Sequence, residues 1–121
     1  MDQNSGSQDM RASSATDRLD HLRQVGFSRD EIHRIVGARG TLARREGGKT
    51  LSAVEADRVE RLERISELAD RVFGDHEKAA RWLRKEVRSL NGARPMDLLR
   101  SETGAHHVEQ ALLRIDHGIF A

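Results

Sequence analysis

One stretch constrains this chain more than any other: from Ser52 to Gly74 the apolar residues Val59, Leu62, Ile65, Leu68, Ala69 and Val72 recur at spacings of three and four. That period is helical, and it lays these side chains along a single stripe. Ser52 and Glu55 form an S-x-x-E capping box at its start, and Gly74 is the left-handed residue expected at its end. Asp57–Arg61, Glu60–Arg64 and Glu67–Arg71 stand four apart with the acid first, the order that supports an exposed helix face. A helix running to Phe73 spans roughly 30 Å at about 1.5 Å per residue. It is long enough to join two halves of a small protein.

The same reading makes nearly all of the remainder helical. Leu19, Leu22 and Val25 repeat every three residues on a first short helix, with Thr16 or Asp17 as cap and Gly26 as stop. Ser28 and Glu31 form another capping box behind a staple residue, Phe27, and Ile32, Ile35 and Val36 face inward as far as Gly37. GARG (37–40) reads as a tight turn and TLARRE (41–46) as a short helix stopped by Gly47-Gly48. Ala79, Ala80, Leu83 and Val87 then share a face, with Leu90 next on it if that helix persists to Asn91-Gly92. Pro95 starts a short helix holding Met96, Leu98 and Leu99 that is expected to end near Gly104. A last helix, from about Ala105 to His117, is expected to bury Val108, Ala111, Leu112 and Ile115. Alternating β-branched runs are absent, so the expected fold class is all-α.

Composition narrows the function. Hydrophobic residues make up 36% and aromatics 3% of the 121 residues, so burial must come from Leu, Ile, Val and Ala on amphipathic faces. The absence of cysteine excludes disulfides, thiolate zinc and a cysteine nucleophile, and suits a reducing cytoplasm. No apolar run approaches the roughly 20 residues that span a bilayer, and the first residues lack a signal peptide's apolar segment. A soluble, cytoplasmic protein with no membrane partner is expected. Residues 1–14 offer almost nothing to bury and read as a disordered tail. Net charge is +1, but residues 15–50 hold eight Lys/Arg against five Asp/Glu, a net of +3, while 51–121 hold twelve against thirteen. The positive surplus of the first third points to a polyanion there.

That surplus sits on a candidate helix-turn-helix unit over 15–50. Its second helix and flanks carry Arg39, Thr41, Arg44, Arg45 and Lys49. In the major groove arginine bonds guanine O6 and N7 bidentately, while Lys49 and the helix N-terminus meet phosphates. A solvated basic loop between packing helices would show the same residues. FSRDEIHRIVGARGTLARRE resembles the helix-turn-helix of Xre-like regulators in Glu31-Ile32, Val36-Gly37 and Thr41-Leu42. It departs from them in His33, where those proteins place a small alanine, and in a turn about one residue shorter.

Residues 51–121 form the second expected unit. Here Phe73-Gly74-Asp75, Ala80 with Trp82-Leu83, Leu90 with Gly92, Pro95-Met96-Asp97-Leu98-Leu99, Glu102 with Gly104, Val108-Glu109, and Leu113 to Ile115 with Gly118 occur in that order. In these motifs the chain resembles the toxin-binding C-terminal domain of Xre/MbcA/ParS-type antitoxins. Lys85-Glu86-Val87 replaces the family's Pro-Asn after Trp-Leu-Arg, which would let the helix run further.

The resemblance implies a partner toxin of the RES or ParT type, which consumes NAD or ADP-ribosylates a target, and a C-terminal segment that blocks the toxin's active site. It also implies a helix-turn-helix unit that represses the antitoxin's own operon by binding operator DNA as a dimer, with hetero-oligomers formed with the toxin. The residues expected at the toxin are Leu113, His117, Gly118, Ile119, Phe120 and Ala121. Physically, Gly118 breaks the last helix and Ile119-Phe120-Ala121 becomes an apolar tip whose burial supplies ~3–6 kcal/mol before ordering costs. The same tip can also fold back on the chain's own core. Trp82 is likewise open to two readings, core residue or interface anchor.

Other chemistries find no support. His106, His107 and His117 cannot converge on a metal from one helix, because neighbours diverge by about 100°. No nucleophile–base–orienter set and no Gly-rich phosphate loop after a strand are discernible, so neither enzyme nor cofactor is expected. The alternative function is a stand-alone helix-turn-helix regulator whose C-terminal half only dimerises.

Overall fold

A computed structural model describes residues 15–37 and 50–118. Every regular element among them is helical, as the apolar spacing predicts. The chain divides into two compact units between Val59 and Glu60. Residues 1–14, 38–49 and 119–121 lie outside the description, and with them the expected tail, the TLARRE helix and the closing Ile-Phe-Ala.

In the first unit, helix α1 (Ala15–Gln24) buries Ala15, Leu19 and Leu22. Thr16 and Asp17 fall inside its first turn rather than at its cap. The amides of Gly26 and Phe27 donate back to the carbonyls of Arg23 and Leu22, both at 3.1 Å, and so close the helix. Helix α2 (Arg29–Val36) begins at the expected capping box: Ser28 Oγ accepts from the Glu31 amide at 3.1 Å, and Glu31 Oε1 accepts from the Ser28 amide at 2.9 Å. Phe27, Ile32, Ile35 and Val36 are buried, and so is His33.

Helix α3 (Ala53–Phe73) opens with the same device, Ser52 and Glu55 exchanging bonds of 2.9 and 3.1 Å. One turn further on, Arg58 Nη1 donates to the Val36 carbonyl at 3.2 Å, placing a cation at the C-terminus of α2. The stripe from Val59 to Ala69 is buried as predicted, whereas Val72 is half-buried.

The second unit takes up the rest of α3. Helix α4 (His76–Arg84) is capped by Asp75, whose Oδ1 accepts from the amides of Glu77 and Lys78 at 2.8 and 3.2 Å. It buries Ala79, Trp82 and Leu83, leaving Ala80 half-buried. The helix does not continue towards Leu90. Lys85 is extended (φ −101°, ψ 159°), and a 3-10 turn over Arg88–Leu90 follows, ended by Asn91 in the left-handed region. The Val87 amide donates to the Ala93 carbonyl, and the Gly92 amide to the Val87 carbonyl, each at 3.0 Å. This loop still buries Val87 and Leu90, so the apolar period persists although the helix has stopped.

Helix α5 (Pro95–Leu98) carries proline at its first position and buries Pro95 and Met96, followed by the fully buried Leu99. Helix α6 (Glu102–Asp116) starts three residues earlier than expected, with Ser101 Oγ accepting from the Gly104 amide at 2.9 Å. Gly104 therefore does not end α5; it sits in the first turn of α6. A Cβ there would lie 2.0 Å from the Leu98 carbonyl oxygen, so the missing side chain is what lets the two helices approach. Ala105, Val108, Ala111 and Leu112 of α6 are buried, and Ile115 is half-buried rather than buried.

Candidate functional site

The candidate site is built on α6. Two arginines of α3 hold that helix: Arg61 Nε donates to Glu102 Oε1 at 3.1 Å and its Nη1 to the Leu99 carbonyl at 3.2 Å. Arg64 Nε donates to Glu109 Oε2 at 2.9 Å and its Nη2 to Glu102 Oε2 at 3.1 Å. Glu102 thus accepts from two guanidinium groups at once. Sequence spacing paired Arg64 with Glu60, but the guanidinium spans the helix pair instead, because a carboxylate held by a packed neighbour costs less side-chain entropy than one on a solvated turn.

The electrostatics follow from this geometry. Partial burial pushes the Glu102 carboxyl up, yet the Arg61 hydrogen bond and the charges of Arg64 and Arg61 outweigh it and leave its pKa below the usual value. For Arg64, partial burial opposes the charge, but Glu109 and Glu102 prevail and its pKa is raised. The Arg61 side chain is only 6% exposed, against 63% for Glu102, so the network anchors a buried cation to a carboxylate that water also reaches.

From this anchor α6 runs to the sequence-predicted residues. Leu113 is half-buried and borders a concavity of about 350 Å³ with Arg64, Leu68, Arg71, His106 and Glu109. The His117 and Gly118 amides donate to the carbonyls of Leu113 and Ile115, both at 3.0 Å, and Gly118 adopts φ 75°. Gly118 is the left-handed stop that the sequence predicts, and both it and His117 are exposed. Ile119, Phe120 and Ala121, the rest of the predicted contact set, lie outside the described residues. So do all five predicted DNA contacts, Arg39, Thr41, Arg44, Arg45 and Lys49.

The described surface of α6 offers a concavity of mixed charge beside Leu113. Among the described residues no three metal-capable side chains cluster, and the His106 and His107 rings stand 6.4 Å apart. Trp82 resolves to a buried ring, 7% exposed, tilted against Phe73 with centroids 5.8 Å apart. The groove beside that pair was not anticipated from sequence, although a run of cations from Lys78 onward marks it.

Comparison with known proteins follows this geometry closely. Residues 68–118, from late α3 to the Gly118 stop, match the antitoxin Xre/MbcA/ParS C-terminal toxin-binding domain. Curated relatives named Antitoxin Xre come from Pseudomonas putida (36% identical over 88 residues, 73% of this chain and 55% of the relative) and Photorhabdus laumondii (36% over 96 residues, 77% and 65%). A third, from Yersinia enterocolitica, is 33% identical over 94 residues, 75% of this chain and 64% of the relative. The chain thus spans between 55% and 65% of the length of these relatives.

Proposed function

The chain belongs to the Xre/MbcA/ParS antitoxin family through its C-terminal domain, and on that premise we propose that it is an antitoxin, a binding protein that neutralises a cognate toxin by contact. The toxin is of the RES or ParT type, which consumes NAD or ADP-ribosylates a target. The contact runs from Leu113 through His117 and Gly118 to Ile119, Phe120 and Ala121, which enter the toxin's active-site cleft. The observation that carries this reading is the end of α6: a helix fixed at its start by Arg61 and Arg64 stops at a left-handed glycine, with His117 and Gly118 exposed. A rigid helix ending in a short apolar segment presents that segment at low ordering cost.

The first unit supplies the second half of the proposal. Arg39, Thr41, Arg44, Arg45 and Lys49 contact operator DNA as a dimer, so the antitoxin represses its own operon in the cytoplasm and forms hetero-oligomers with its toxin.

Deleting Ile119–Ala121 tests the occlusion. The expected result is loss of toxin binding and of rescue in toxin-expressing cells, with helicity and operator binding retained. Unchanged rescue refutes the occlusion and leaves the alternative, a regulator whose C-terminal half only dimerises. Separately, Arg44→Ala combined with Arg45→Ala should weaken operator binding and flatten its dependence on salt. Unaltered binding would remove these residues from the DNA interface.

A further inference from the structure

Between Lys78 and Arg100 the chain carries seven Lys/Arg against two carboxylates, Glu86 and Asp97, a net of +5 within a domain that is otherwise rich in acids. Lys78 and Arg81 stand three apart on one face of α4, Lys85 follows as its extended C-cap, and all three are exposed. They rim a concavity of about 700 Å³ that Phe73, Ala80 and Trp82 also line. Arg84 contributes to the wall, with its Nη1 donating to the Ala80 carbonyl at 2.8 Å. Asp75, the cap of α4, accepts from the amides of Glu77 and Lys78, and its charge also acts on Lys78 and Arg81. This groove shares no lining residue with the concavity beside Leu113.

An aromatic floor beneath a cationic rim selects its occupant. The floor excludes water only when something apolar fills it, and the rim repels any segment that brings further positive charge. Nucleic acid fits less well, because the three exposed cations rim one concavity with an apolar floor rather than line a track along which successive phosphates could lie.

We propose that the Phe73–Trp82 groove docks an acidic segment of a partner protein, with one bulky apolar side chain seated against the aromatic pair and flanking carboxylates over Lys78, Arg81 and Lys85. The site is separate from the end of α6 and does not depend on the occlusion reading.

Trp82 is the only tryptophan, so its emission reports on this groove directly. The probe is a short, end-blocked synthetic peptide with a central Phe between runs of Glu, titrated into the full chain. A saturable change in Trp82 emission is expected. It should weaken about tenfold or more in Arg81→Glu combined with Lys85→Glu, and also when the peptide's Phe is replaced by Ala. Both substituted side chains are exposed, and an unchanged circular dichroism spectrum shows that the variant is folded. The chain lacking Ile119–Ala121 should bind the peptide as before. No emission change, equal binding by the charge-reversed variant, or loss of binding on removing the tip would each overturn the proposal. So would a DNA duplex that reproduces the emission change and displaces the peptide, which would make the groove a nucleic-acid surface.

Discussion

Replacing Gly104 by alanine tests the packing on which the α6 platform rests. In most helices the exchange stabilises by up to about 1 kcal/mol, because alanine loses less backbone entropy. Here the new Cβ would meet the Leu98 carbonyl oxygen at 2.0 Å, its carbon at 2.9 Å and its Cβ at 3.1 Å, while real Cβ atoms essentially never come within 3.0 Å of a neighbour. Two of those atoms are backbone, so no rotamer relieves the clash. Helices α5 and α6 must part by about 1 Å, loosening Met96 and Leu99, and overpacking of this kind costs about 3 kcal/mol. The net effect is a destabilisation of about 2–3 kcal/mol, or a melting temperature lower by on the order of 10 °C. Urea unfolding followed through Trp82 emission reads this for the domain that holds both residues. Gly74→Ala is the control: at φ 65° it is strained, but nothing lies within 4 Å, so about 1 kcal/mol is expected. A Gly104→Ala variant as stable as the original, or more stable than Gly74→Ala, refutes the reasoning.

Two further outcomes follow from the arginine network and the caps. Arg61→Met keeps the buried stem but strips the Leu99 carbonyl of its 3.2 Å donor, and should cost about 1–3 kcal/mol in the same urea transition. Glu102→Gln, at a side chain 63% exposed, should cost less than about 1 kcal/mol, and equal losses from the two would contradict this assignment. Acid should also weaken the domain. The pKa values of Glu102 and Asp75 lie below their ordinary 4.5 and 3.8, so the stability they contribute is complete above those values and lost as pH falls through the lowered ones. The urea midpoint should therefore fall on acidification below about pH 4.5; a midpoint that rises there would reverse the sign.

What was legible in the sequence was local. The capping boxes at Ser28/Glu31 and Ser52/Glu55 are complete within four residues, so spacing alone reveals them. The stops at Gly74 and Gly118 depend only on backbone freedom. The larger misreadings involve partners beyond a single helical turn. Val87 and Leu90 keep the helical period after Arg84, yet a loop closed by Ala93 and Gly92 buries them equally well. Gly104 resembles a helix terminator until Leu98 is placed against it. Arg64 has a plausible partner four residues away in Glu60, and only the packing of α6 on α3 brings Glu102 and Glu109 within reach. At the candidate site, the Gly118 stop and the exposure of His117 were readable from the end of the helical pattern, whereas the cavity beside Leu113 needed Arg64, Leu68 and Arg71 from another element.

Helix α6 joins a core role to the proposed binding role along one continuous segment. Its Ala105, Val108 and Leu112 are fully buried, and its Glu102 and Glu109 hold the arginines of α3, while its end leads through the half-buried Leu113 to the exposed His117 and Gly118 proposed to meet the toxin. Proteolytic cleavage between Glu102 and Leu112 therefore cannot remove the proposed contact alone, because the same cut opens the core, whereas a cut beyond Leu113 leaves the buried side chains in place. Loss of fold and loss of the proposed binding are thus coupled over the first eleven residues of a fifteen-residue helix and separable only beyond them.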